Sequence, residues 1–123
     1  MTISTMADIN REIANRCRDN GLALDCGADG LFNAEIAIIG ESPGERERFM
    51  KLPLVGASGK KFWDFVRDID INRRQVYISN VVKRQLRTTT DDKVNISRNE
   101  IDHYASILNW ELQQLPNLKY IVV

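Results

Sequence analysis

Cysteine and histidine are scarce in this 123-residue chain: it has two cysteines, Cys17 and Cys26, and one histidine, His103. That excludes a disulfide framework and a conventional Cys/His zinc site. An excess of one charge is lacking too. Seventeen Lys and Arg balance 17 Asp and Glu, so no overall field draws the chain to nucleic acid, although a balanced total can hide a local basic patch. Long apolar runs are missing, and none approaches the roughly 20 residues that span a bilayer. The N-terminal "MTISTMADINREIANR" has no apolar core of the signal-peptide kind. Two free thiols and no targeting segment predict a reducing, cytoplasmic setting with no membrane partner.

No internal repeat, linker or low-complexity tract interrupts the chain, and its length is one domain's worth. "MADINREIANRCRDNG" predicts a short helix, with Ile9, Ile13 and Cys17 at a spacing of four and Gly21 as its stop. "GLALDCGADGLFNA" reads as loop. "EIAIIG" reads as a buried strand, and a long Gly/Pro loop follows it. From about Ser58 the pattern turns helical, with Phe62, Phe65, Val66 and Ile69 as its apolar stripe. "QVYISNVV" predicts a second strand and "KRQLRTTTDDKVNI" a loop. Ser97 to Glu100 is a capping box. It opens a helix whose apolar face is Ile101, Ala105, Leu108, Leu112 and Leu115, and Pro116 lies just past its end. "KYIVV" reads as a third strand.

Strand, helix, strand, helix, strand predicts an α/β fold, a three-layer α/β/α sandwich on a short parallel sheet. The expected organisation is one domain over 1–123, with an N-terminal helix and loop over 1–34 and an α/β core over 35–123. Three strands are present and a fourth is expected but missing. A last parallel strand with no downstream loop reads as a fragment, or as half of a split domain.

Ligands of open α/β sheets lie beyond the carboxyl ends of the strands. "GESPG" and Asn80 fall there. Glu41 has the chemistry to position a water or bind a cation, or simply to satisfy loop amides. Gly44, Gly56 and Gly59 permit positive φ or close backbone approach. Asn80 offers a donor and an acceptor, which suits a base edge, and equally suits tying a strand to a loop. Lys83, Arg84 and Arg87, with Arg46, Arg48, Lys51, Lys60 and Lys61, could track a phosphate backbone or form a solvated surface. "GASGKK" fails as a P-loop: Leu54 stands at its first glycine and Lys61 at its Ser/Thr. No G-x-G-x-x-G follows the first strand. His103 lies inside a predicted helix, where packing or surface exposure is the ordinary role.

Taken together, "GESPGERER", "LPLVGASGKKF" and "VYISNVVK" resemble the uracil-DNA glycosylase superfamily. The nearest branch is the thermostable type usually called family four, which normally carries an iron–sulfur cluster. The resemblance runs from about Ala34 onward. It implies hydrolysis of the N-glycosidic bond of deoxyuridine in DNA, with the base flipped from the stack into a snug pocket. By the same resemblance Glu41 handles the water. Gly40, Ser42, Pro43, Gly44 and Leu54 shape the uracil pocket, and Asn80 reads the base edge. Gly56, Ser58, Lys83, Arg84 and Arg87 hold DNA.

The sequence departs from the family at four points. Leu54 replaces an aromatic that stacks on the base, losing roughly 1 to 3 kcal/mol of stacking. Of the four cluster cysteines only Cys17 is present. Asn20, Arg84 and Tyr104 align with the others, so no iron–sulfur cluster is expected. Arg48 replaces a motif aspartate. The family's second catalytic motif, with its histidine, lies beyond the next strand. The implied partner is DNA, single-stranded or uracil-containing, and beside it a DNA polymerase or the remainder of a longer chain. A phage-encoded copy would act in host cytoplasm. The alternative is a DNA-binding or protein-interaction module that kept the fold and lost the chemistry.

Overall fold

The computed structural model describes residues 2–86 and 95–123. The elements in chain order are α1 (Met6–Asp19), β1 (Asp29–Gly30), β2 (Ile36–Gly40), α2 (Glu45–Met50), α3 (Ala57–Val66), β3 (Tyr77–Asn80), α4 (Arg98–Gln114) and β4 (Tyr120–Val122). They form a four-stranded sheet in the order β1-β3-β2-β4. The three core strands are parallel, and β1 runs antiparallel at the edge of β3. The predicted α/β class is the observed one. The sheet gains β1, a two-residue ladder in a segment that its glycines and aspartates mark as loop. Residues 87–94 of the predicted "KRQLRTTTDDKVNI" loop lie outside the described residues.

α1 forms where its local signals say it should. Thr5 and Asp8 make a reciprocal capping box, with the Asp8 N–H donating to Thr5 Oγ1 at 3.1 Å. At the other end Gly21 adopts φ +66°, the Leu22 N–H reaches the Cys17 carbonyl at 2.8 Å, and the chain turns away. Ile9, Ile13 and Cys17 are buried as their spacing predicts.

The later helices depart from their predicted faces. α4 buries Tyr104, Ile107 and Glu111, while Ile101 and Ala105 are exposed; Leu115, just past its end, is buried as predicted. The face is rotated because Tyr104 hydrogen-bonds the Ala23 carbonyl and Glu111 meets a buried lysine, two pairings that apolar counting does not weigh. Ser97 caps α4 through the Glu100 N–H at 3.1 Å, but the reciprocal half of the predicted box is not made. The Glu100 carboxylate is drawn instead to Arg84, at 2.5 Å. In α3 Val66 is buried, yet Phe65 is 80% exposed and Ile69 is exposed too. The helix ends at Val66 in a 3-10 turn, which swings Ile69 out of line. α2 was unforeseen, because "ERERFM" is a short helix-forming run surrounded by loop residues.

The sheet has two unlike faces. Ala37, Ile39 and Tyr77 point into a large core shared with Ile9 and Ile13 of α1 and Tyr104 and Ile107 of α4. Ile38, Val76 and Ile78 point the other way, into a small core closed by Phe62, Trp63, Leu54 and Ile71. β4 is exposed along its length.

Candidate active site at the mouth of β2 and β3

The topology locates the site. β2 is followed by α3 on one face and β3 by α4 on the other, so the connections leave two adjacent parallel strands in opposite directions. Such a divergence opens a crevice at the strands' carboxyl ends. The residues at that point are Gly40 and Asn80, which are partners in the β2–β3 register. Alternation along β3 puts Ile78 and Asn80 on the α3 face, and Tyr77 and Ser79 on the α4 face.

Gly40 is required by closeness rather than by φ, since a Cβ there would lie 2.5 Å from Asn80 Oδ1. Gly44, Gly56 and Gly59 likewise lack positive φ, so the predicted use of left-handed backbone is corrected to close approach. The Asn80 side chain is buried, and its carboxamide has no hydrogen-bonding partner among the described residues. Glu41 follows Gly40 directly. It is exposed, and its carboxylate has no partner among the described residues. Glu41 also lines the rim of a groove of ≈ 570 Å³ that includes Val81, Val82, Leu86 and Ile101. Neither Asn80 nor Leu54 lines that groove.

The loops around the mouth are held by polar ties. Pro43 is buried, whereas Ser42 and Gly44 are half-buried. Glu47 joins the loop after β2 to the loop before α3. Its Oε1 accepts from the Gly44 N–H at 3.0 Å, and its Oε2 from Val55 and Gly56 at 2.8 and 2.5 Å. Its place three residues after the helix-capping Gly44 was the signal that could have singled it out. Leu54 stands at φ +58°, in the left-handed region unfavourable to side chains. Its carbonyl accepts from Trp63 Nε1 at 3.1 Å and from an Arg73 guanidinium nitrogen at 3.2 Å. Asp29 in turn fixes Arg73 at 2.8 Å. Gly59 packs against the Leu54 backbone so closely that a side chain there would clash. Leu54 itself is half-buried against the small core.

The predicted DNA-holding residues are not brought together as one patch. Gly56 caps α3, and Ser58 is exposed in its first turn. Lys83 is 0% exposed, with its ammonium 2.5 Å from Glu111 Oε2. The expectation that it meets phosphate is corrected, because a buried charge must be paired inside the fold. Arg84 is engaged with Glu100 and the Asn95 carbonyl. Hydrogen bonding to Arg84 holds the Glu100 carboxyl below its usual range, and Glu100 raises the guanidinium in return. Arg87 lies outside the described residues. Arg46, Lys51, Lys60 and Lys61 are exposed around the first loop.

The positions aligned with cluster cysteines do not suit an iron–sulfur cluster. Cys17 alone offers sulfur, and burial pushes its thiol up to about 11. Tyr104 is raised as well, chiefly by burial. The Asn20 side chain caps α1 on the Arg16 carbonyl at 2.8 Å. Arg84 is a cation already paired. Burial also pushes Cys26 up to about 12, with the Glu47 charge adding to it. No group of three or more His, Cys, Asp or Glu among the described residues could hold a metal ion.

Comparison with known proteins gives the chain a family and relatives. The profile of the Uracil DNA glycosylase superfamily matches residues 28–123. A Type-4 uracil-DNA glycosylase of Sulfurisphaera tokodaii is 45% identical over 56 residues, covering 45% of this chain and 26% of that protein. One from Archaeoglobus fulgidus is 44% identical over 54 residues, covering 44% and 27%. Another from Thermotoga maritima is 40% identical over 55 residues, covering 45% and 29%. The matched stretch thus spans little more than a quarter of these curated relatives.

Proposed function

Since the chain belongs to the uracil DNA glycosylase superfamily, we propose that it binds deoxyuridine flipped out of DNA and hydrolyses its N-glycosidic bond. The observation that supports this reading is the Asn80 carboxamide, unpartnered among the described residues and set against bare Gly40 backbone, with Glu41 the next residue along the chain. Asn80 is largely covered, but its amide atoms are not sealed from solvent, so they are open to a ligand. A uracil edge presents a donor and acceptors, and Asn80 can match both.

In this reading the flipped base enters between the loop after β2 and the Leu54 loop. Gly40, Ser42, Pro43 and Gly44 bring backbone against it, and Leu54 packs on its face. Glu41 orients a water toward the anomeric carbon. As the bond breaks, uracil leaves with the electron pair, and donors aimed at its oxygen stabilise the growing charge. Asn80 is the side chain placed to donate there. Exposed Arg46, Lys51, Lys60 and Lys61, with the start of α3 at Gly56 and Ser58, hold the phosphates. No cluster is needed for these steps, and Arg84 and Tyr104 serve the fold.

The test is release of free uracil from single-stranded DNA carrying one deoxyuridine. Release that is lost in Glu41→Ala and Asn80→Ala supports the reading. Tight DNA binding with no release, and no preference for uracil over thymine, would leave only a DNA-binding module.

A further inference from the structure

The Asn80–Val81 peptide unit is pinned at both ends. Its N–H donates to the Gly40 carbonyl at 2.9 Å, and its C=O accepts from Lys83 Nζ at 2.5 Å. The next N–H, of Val82, reaches the Glu41 carbonyl at 3.0 Å. With the ties on either side of it, the backbone that leaves Asn80 is fixed in direction against Gly40 and Glu41.

Lys83 is in turn committed. Its ammonium donates hydrogen bonds to the Asn80 carbonyl and to Ser79 Oγ at 3.0 Å, and it pairs by charge with Glu111 Oε2 at 2.5 Å. The other Glu111 oxygen accepts from the Tyr77 and Ser79 hydroxyls, each at 2.6 Å. Both Lys83 and Glu111 are 0% exposed. A buried ion pair seldom stabilises a fold more than well-packed apolar residues of the same volume. This one links α4 to a single peptide at the mouth of the site.

We infer that Lys83, held by Glu111, Ser79 and Tyr77, is a positioning residue that sets the direction of the Asn80 side chain for base recognition. The inference deepens the proposed function and rests on it for the identity of the base. It assigns Lys83 a role through Asn80, with no contact to substrate or phosphate.

Three measurements test it on the chain and its variants. The first is the ratio of affinities for a uracil-containing and a thymine-containing single strand, by fluorescence anisotropy. The second is the thermal midpoint. The third is the pair of ¹H–¹⁵N signals of the Asn80 carboxamide, identified by their loss in Asn80→Asp. The variant Tyr77→Phe/Lys83→Met/Glu111→Leu replaces the network with apolar groups of similar size. It is expected to fold, to lose about tenfold in the uracil-to-thymine ratio, and to show Asn80 signals merged toward those of a free amide. Ser79→Ala, a milder change, is expected to lose about threefold. A folded variant that keeps both ratio and signals overturns the inference. If the apolar variant fails to fold, Ser79→Ala decides by the same criteria. If the wild-type chain shows no uracil preference, the proposed function fails instead, and the Asn80 signals alone decide whether Lys83 positions that side chain.

Discussion

The two faces of the sheet solve the same packing problem differently. Beneath, toward α1 and α4, Ile9, Ile13, Tyr77 and Tyr104 are fully enclosed, and a buried ion pair holds Lys83 together with two hydrogen bonds. Above, toward α3, the buried core cluster is the small set Ile38, Val76 and Ile78, and Phe65 stands in solvent. There the chain is held by polar ties on backbone: Glu47 on three N–H groups, Trp63 and Arg73 on the Leu54 carbonyl. The candidate site opens on this thin face. A rigid underside thus presents Asn80 to a region whose walls are loops rather than core, while Glu41 borders the groove on the α4 side. Such regions open at lower free energy than the core, which suits a pocket that must admit a flipped base.

The sharpest way to break this contrast is to remove one partner of the enclosed pair. Lys83→Met alone strands the Glu111 carboxylate and should cost about 3 to 5 kcal/mol in urea unfolding. Lys61→Met, on the exposed surface of α3, should stay within about 0.5 kcal/mol. Equal effects would mean that the two faces do not differ as described. Apolar truncation should repeat the contrast at smaller size. Ile13→Ala removes a wholly buried side chain and should cost about 2 to 4 kcal/mol. Phe65→Ala should be nearly neutral, because little of that ring is covered.

Glu47→Gln probes the thin face in its own terms. The amide keeps one acceptor oxygen but loses the charge and the second acceptor. A loss of about 1.5 to 3 kcal/mol is expected, with faster hydrogen exchange at the Val55 and Gly56 amides. Unchanged exchange there would show that the two loops do not depend on this carboxylate. The smallest effect concerns Arg84 and Glu100, which are only partly covered. Glu100 has a lowered folded pKa, so its contribution is present above the unfolded carboxyl value and is lost as pH falls through the folded one. Solvent screening limits it to about 1 kcal/mol or less. Arg84→Ala should therefore lower stability at neutral pH by about 1 kcal/mol or less, leave stability in strong acid unchanged, and so flatten the acid limb slightly.

Much of the fold was legible locally. The α1 stripe, its capping box and its terminal glycine are short-range signals, and each appears as read. The β2 and β3 runs were equally plain, because a buried parallel strand needs only a few apolar residues between breakers. The motif acid Glu41 and the amide Asn80 could be named from their places after those strands. The sequence was less informative where helices met charge. α4 was turned by Tyr104 and Glu111, neither of which an apolar count selects, and α3 lost Ile69 to a 3-10 turn.

By itself, then, the sequence determined the main helices and the three parallel strands, the α/β class and the family motifs. These depend on neighbours a few residues apart, whose periodicity and turn chemistry are written in the chain. Only the tertiary structure decided what Lys83 does. In the sequence it is one more cation beside Arg84. In the fold it is sealed beneath the sheet, because Glu111 arrives from a distant helix with a compensating charge. The energy of a buried charge depends on which groups surround it in space, and local pattern does not record them.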